Sequence, residues 1–312
     1  MDALAGLLDG PRARGAFLLR AVMDPPWSIR IEDEALLTLM CMTRSTAWVM
    51  PDSGDPVLLR PGDIAIARGP DPYTCADTPV SAVRARIGPG GVCSSEHGVP
   101  LAESMQLGVR TWGDRADGES VMLIGTYQLD GEVGRRLLDA LPALSYLPSE
   151  VWNCPLLPVL EDEISRDDPG QSVYLDRLLD LLLIASLRAW FSRPDAEAPA
   201  WYRAMGDPVV GRALRLMQNE PARPWTVASL ATEAGVSRAG LARRFTELVG
   251  EPPMAYLTGW RLTLAADLLR ATDATVESVA RKVGYSGSFA LSAAFKRVRG
   301  VSPQEHRRAA AG

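Results

Sequence analysis

The feature that most restricts what this chain can fold into is a repeat in its last third. Gly235 and Gly284 lie 49 residues apart, while Leu241 and Leu291, Phe245 and Phe295, Gly250 and Gly300, and Pro253 and Pro303 each lie 50 apart. Matched residue types at that many positions, with one inserted residue in the second copy, define a structural unit that occurs twice. In the first copy Thr226 is placed to cap a short helix, Val227 to Glu233, that turns Leu230 and Ala231 inward. Ala234-Gly235-Val236 then makes a tight turn in which glycine supplies the positive φ that other residues resist. Ser237 caps a second helix whose Leu241, Phe245 and Leu248 share one face and leave Arg238, Ala239, Ala242, Arg243 and Thr246 on the other. Two helices, a small-residue turn and an Arg-bearing outer face describe a helix-turn-helix. The second copy runs through Val276 to Lys282, Val283-Gly284-Tyr285 and Ser286 to Arg299. Between the copies Pro253 to Arg270 reads as one helix, roughly 27 Å long at about 1.5 Å per residue. That length can hold two recognition helices about one DNA turn, or roughly 34 Å, apart.

The charge pattern agrees with the repeat only after the chain is divided. Taken whole, 312 residues with a net charge of −5 argue against a phosphate-binding surface. A Pro/Ala-rich stretch, Ser192 to Ala200, separates two unlike parts. From Arg203 onward there are 16 Lys/Arg and 9 Asp/Glu, net +7, whereas residues 1–202 hold 17 and 29, net −12. A basic C-terminal third hangs on an acidic body.

That body divides again. Between about 27 and 130, short apolar stretches such as 35–40, 46–50, 56–59, 63–67 and 121–125 are separated by turn signals, including Pro61-Gly62-Asp63 and Arg68-Gly69-Pro70-Asp71-Pro72. Strands at this spacing predict a small barrel or sandwich. From 132 the period becomes helical: Val133, Leu137, Leu138 and Leu141 stop at Pro142, and a helix from near Ser172 carries Leu175, Leu178, Leu179, Leu182, Leu183, Leu187 and Trp190 on one broad stripe. The stripe must be covered by its own body, by a second copy of the chain, or by both. The fold class expected is therefore α+β: a small N-terminal β-barrel (1–131), a helical linker and dimerisation segment (132–202), and an all-α domain of two helix-turn-helix units joined by a long helix (203–312).

The four cysteines, Cys41, Cys75, Cys93 and Cys154, are widely spaced without a Cys-x-x-Cys pair, which fits neither a disulfide framework nor a zinc finger. The N-terminus lacks the basic start of a signal peptide and the longest apolar run, Leu178 to Leu187, is interrupted by Asp180, so a cytoplasmic, membrane-independent protein is expected. Cys93 falls between Gly88 and Gly98 close to His97; a thiol beside a histidine in an exposed loop would be oxidant-sensitive, and Cys41, Cys75 and Cys93 are the candidate redox or effector positions. Inert buried thiols are the alternative.

The residues now carry a resemblance. Pro224-Trp225-Thr226-Val227, Leu230-Ala231, Gly235-Val236-Ser237-Arg238, Arg243-Arg244-Phe245, Pro253-Met254-Ala255-Tyr256-Leu257 and Trp260-Arg261-Leu262, followed by Val283-Gly284-Tyr285, Ala294-Phe295-Lys296-Arg297 and Gly300-Val301-Ser302-Pro303, resemble the DNA-binding domain of AraC/XylS-family transcriptional regulators over about a hundred residues. Leu59-Arg60-Pro61-Gly62-Asp63, Arg68-Gly69, Ile124-Gly125-Thr126-Tyr127 and Leu137 to Pro142 resemble the cupin-type sensor domain of one branch of that family. The resemblance implies a one-component regulator, activator or repressor, working as a homodimer on a double-stranded operator and answering a small-molecule or oxidant effector, with RNA polymerase as partner if it activates. By position in the family motif, Ala239, Ala242 and Arg243 would face bases from the first recognition helix, and Ser288, Phe289, Ser292 and Ala293 from the second. Arg243 is suited to guanine, with a phosphate contact as the alternative. The second set is poor in donors where family members often carry longer polar residues, and Phe289 is open between a core place and a base-facing one. Arg238, Lys296, Arg297 and Arg299 fit phosphate contacts.

The rival class is a cupin enzyme with a DNA-tethering domain. Only two histidines, His97 and His306, are present, so a three-His metal site is excluded by count, and Asp71-Pro72-Tyr73 stands where cupins place a His. No catalytic set is evident and no cofactor is expected.

Overall fold

A computed structural model describes residues 17–108, 110–127, 131–193, 196 and 198–309. They form two compact units, one built from the described residues of 17–127 and 141–196, the other from 131–140 and 198–309. The stretch 132–202, expected as one linker, is thus divided between them.

The first unit is two facing sheets. One takes β1 (Phe17–Met23), β3 (Leu37–Arg44), β6 (Ile64–Arg68), β10 (Gln106–Gly108), β11 (Thr111–Gly113), β12 (Ser120–Tyr127) and β13 (Leu144–Leu147) in the order β10-β11-β1-β12-β3-β6-β13. The other takes β2 (Ser28–Ile31), β4 (Ala47–Pro51), β5 (Val57–Leu59), β7 (Tyr73–Ala76), β8 (Ala85–Gly88) and β9 (Val92–Ser95) in the order β5-β4-β7-β2-β8-β9. Side chains from both sheets meet in one core: Met40 and Met122 from the first, Val49 and Cys75 from the second. The Pro61-Gly62-Asp63 turn has a structural use. Asp63 is buried, and its carboxylate accepts hydrogen bonds from the Arg60 N–H at 2.8 Å, the Ser149 N–H at 2.7 Å and the Tyr146 hydroxyl at 2.8 Å, tying the β6 entry to β13. Burial and that carboxylate push the Tyr146 hydroxyl up to about 12.

Helix α3 (Gln171–Phe191), with α2 (Leu157–Ile164) against it, covers the outer face of the first sheet. Tyr127 donates its hydroxyl hydrogen to the Leu179 carbonyl at 2.9 Å, and a Cβ at Gly125 would come within 2.9 Å of Leu179 Cδ2, so glycine there admits the helix. The leucine stripe is consumed by this contact: Leu175, Leu178, Leu179, Leu182, Leu183 and Leu187 are all buried within the single chain. Of the covers left open for the stripe, the chain's own body supplies one, since a sheet needs its second face covered as much as a helix needs its stripe covered.

The second unit is all helix: α1 (Glu132–Leu138), α4 (Ala200–Ala204), α5 (Val210–Asn219), α6 (Val227–Glu233), α7 (Arg238–Val249), α8 (Pro253–Ala271), α9 (Val276–Lys282), α10 (Ser288–Arg299) and α11 (Pro303–Ala309). Both repeat copies fold as expected, α6-turn-α7 and α9-turn-α10, with Gly235 at φ +71° and Gly284 at φ +86° in the turns. Each copy has its own core. Leu230, Leu241 and Phe245 pack with Tyr256, Leu257 and Trp260 of α8; Val279, Leu291 and Phe295 pack with Leu262, Ala266 and Leu269 farther along the same helix.

Candidate nucleic-acid interface and interior cavity

The outer faces of α7 and α10 follow from what their inner faces bury. On α7, Leu241 and Phe245 are fully buried, so Arg238, Ala239 and Arg243 stand exposed and Ala242 half-buried. Ser237 Oγ accepts the Gly240 N–H at 3.1 Å and fixes the N-terminus of the helix. Arg243 makes no ion pair with any described residue, in contrast to its neighbour Arg244, held by Asp207 at 2.5 Å. The first copy thus presents the guanidinium of Arg243, with Arg238 at the start of the helix, above small side chains.

On α10, Leu291, Ala294 and Phe295 point inward. Ser288 and Ser292 are half-buried, and Ala293, Lys296 and Arg297 are exposed. Phe289 is 89% exposed, which removes the alternative that it belongs to the core. The cap differs too: Glu277, reaching from α9, accepts the Ser288 N–H at 2.7 Å, and this hydrogen bond holds its carboxyl below the usual carboxylate range. Arg299, expected beside Lys296 and Arg297 at the phosphates, turns inward. Its Nη1 lies 3.1 Å from Glu132 Oε1 on α1, and its guanidinium sits 5.2 Å from the Phe295 ring centre. Helix α1 is held by two further contacts, the Glu132 N–H to Asp267 Oδ1 at 2.5 Å and Arg136 over the rings of Tyr256 and Trp260.

The β unit holds a cavity of about 840 Å³ between its sheets, open to solvent at one side. Its walls are built at period two: Leu19, Ala21 and Met23 of β1, Thr38, Met40 and Met42 of β3, and Met122 and Ile124 of β12 turn to it, with Trp27 and Trp112. These residues were missed in the sequence, although Thr38-x-Met40-x-Met42 carries the alternation that could have found them. Of the cysteines, Cys75 and Cys93 line the cavity and Cys41 does not. The exposed-loop expectation for Cys93 is corrected: residues 92–95 form β9, Cys93 is 5% exposed, and burial pushes its thiol up, as it does those of Cys41 and Cys75. Pairing with β8 fixes a segment whose glycines read as a loop. Among the described residues no group of His, Cys, Asp and Glu has metal-binding geometry, and no helix is long and apolar enough to cross a membrane.

A β-sandwich with a cavity between its sheets, and two helix-turn-helix units on one long helix, describe a DNA-binding protein with a separate N-terminal β domain. Comparison with known proteins agrees. Residues 2–192 match the cupin family and residues 230–309 a helix-turn-helix domain family. An AraC-like transcription regulator of Streptomyces lividans is 31% identical over 99% of this chain and 98% of its own length. The HTH-type transcriptional regulator AlkR of Acinetobacter baylyi is 35% identical over 57% of this chain and 60% of its own. A crystal structure of the DNA-binding domain of AdpA with a target DNA is 32% identical, covering 33% of this chain and 93% of that one with a TM-score of 0.32. The chain belongs to the AraC-like family of DNA-binding transcriptional regulators, with a cupin-type N-terminal domain.

Proposed function

We propose that this protein is a one-component, non-catalytic cytoplasmic regulator that reads two successive major grooves with α7 and α10, and that the cavity of its cupin domain takes the effector. The observation that carries the reading is the contrast between the buried and exposed faces of the two helices, which leaves Arg238 and Arg243 projecting from the N-terminal half of α7 and Phe289 from that of α10. Arg243 pairs with guanine O6 and N7, while Ala239 and Ala242 leave room for thymine methyls. Ser288, Phe289, Ser292 and Ala293 offer few donors, so Phe289 reads by apolar contact with a thymine methyl. Arg238, Lys296 and Arg297 hold phosphates. Cys75 and Cys93 meet the effector as wall residues. The remaining apolar surface of α3, with Tyr174 and Leu181 about half exposed, supports a homodimer contact, and an activating complex would engage RNA polymerase.

The test begins with selection of bound duplexes from a random pool by the full chain, giving two half-sites about one turn apart. Arg243→Ala is then expected to weaken the selected operator by about 1–3 kcal/mol, roughly 5- to 150-fold. Lys296→Ala should weaken all sequences alike and flatten the salt slope by about 1. Unchanged operator affinity in Arg243→Ala would refute the assignment of base reading. Stoichiometric iron or zinc in the purified protein would favour the cupin-enzyme alternative.

A further inference from the structure

The cavity walls describe the molecule that fits them. The buried lining carries no Asp, Glu, Lys, Arg or His; Asp33, Glu34 and Arg110 line it from half-buried or exposed positions. The buried polar groups already satisfy one another, Trp27 Nε1 donating to Ser120 Oγ at 3.3 Å and the Tyr73 hydroxyl bonding with Thr38. Sulfur is concentrated here. Four of the ten methionines (Met23, Met40, Met42 and Met122) face the cavity, and Cys75 Sγ donates to Met40 Sδ at 3.6 Å. With its thiol pushed up to about 12, Cys75 is a neutral, soft wall atom rather than a thiolate nucleophile or metal ligand.

Resting on the reading that this cavity is the effector site, we propose that its ligand is an uncharged molecule with an apolar, polarizable body, such as a fused-ring aromatic, whose polar end lies among Asp33, Glu34 and Arg110. The volume lies within the range of roughly 300–1,000 Å³ that holds drug-sized ligands. Methionine suits such a body because its unbranched chain adapts to shape and its sulfur packs favourably on ring edges, and Trp27 and Trp112 add aromatic faces. A sugar would lose water from several hydroxyls without finding partners, at about 1–3 kcal/mol for each group left unpaired. An anion finds no cation among the buried walls, and at the polar end two carboxylates, Asp33 and Glu34, outnumber Arg110.

The full-length protein can be titrated with neutral N-phenyl-1-naphthylamine, anionic 1-naphthoate and D-glucose, following probe emission, tryptophan quenching and thermal midpoint. The neutral naphthylamine is expected to quench tryptophan emission and raise the midpoint, while the other two leave both unchanged. Ala21→Phe fills the cavity and Met122→Gln makes one wall polar at equal length; each should weaken naphthylamine binding by about tenfold or more, with circular dichroism reporting the fold. Naphthylamine binding indifferent to both variants overturns the proposal. Saturable binding of glucose or naphthoate that Ala21→Phe abolishes overturns the ligand class and leaves the effector site standing. Failure of all three probes to bind overturns the ligand class together with the effector reading.

Discussion

The two helix-turn-helix copies share a scaffold and differ in what they show the solvent. Phe245 and Phe295 are buried at equivalent places, each packed in its own cluster against α8. Above that common floor the first copy presents a free arginine and caps itself, with Ser237 on α7 and a reciprocal Thr226–Ser229 capping box on α6. The second presents an exposed phenylalanine and borrows Glu277 from α9 to cap α10. Repetition has fixed the positions that fill volume and left free those that face outward, because a core tolerates little change in volume whereas an exposed helix face tolerates almost any side chain. One architecture can then carry two reading chemistries.

The largest effects should test the shared part. Phe245→Ala and Phe295→Ala are each expected to destabilise the helical unit by about 3–5 kcal/mol through loss of burial and the cavity left behind, measured by denaturant unfolding. A large loss from one and almost none from the other would break the equivalence of the copies. Next come the differing parts. Phe289→Ala should change stability by no more than about 0.5 kcal/mol, as expected for an exposed residue. It should, however, abolish discrimination between thymine and deoxyuridine in the second half-site. One methyl group is worth about 0.8 kcal/mol, or roughly fourfold in affinity. Arg243→Ala should leave that discrimination intact. If replacing thymine by deoxyuridine costs nothing with Phe289 present, the second head reads by other means.

How much of this was legible in the sequence follows the range of the forces involved. The helix-turn-helix units could be read to within a few residues because their signals are local: a cap, a glycine and an apolar period. Strands β3, β4, β5, β6 and β12 were visible as apolar runs, whereas β8 and β9, rich in glycine, arginine and serine, form a hairpin that joins its sheet only where β8 pairs with β2, remote in the chain. The cover over α3 was not legible, since a leucine stripe says that something must pack on it and not what; neither was the inward turn of Arg299, which depends on Glu132 over 160 residues away in sequence. Phe289 was ambiguous because aromatic residues are usually buried, and only the observed phase of α10, set by Leu291 and Phe295, puts it outside.

The borrowed cap gives the comparison a pH dependence. Ser237 and Thr226 cap with hydroxyls that do not titrate, but the α10 cap is a carboxylate, and accepting the Ser288 N–H keeps Glu277 below its ordinary value. A carboxyl group whose pKa is lower folded than unfolded adds stability above its unfolded value, near 4.3, and that stability is lost as pH falls through the lower folded value. Acidification from about pH 5 to pH 3 should therefore increase amide exchange selectively in the first turn of α10 while the first turn of α7 keeps its protection, and Glu277→Gln should flatten this difference. Arg281, which pairs with Glu277 at 3.0 Å, bears on the outcome less because that pair is exposed and screened. Equal loss of protection in both turns would mean that acid acts on the unit as a whole, and the two caps would then be interchangeable.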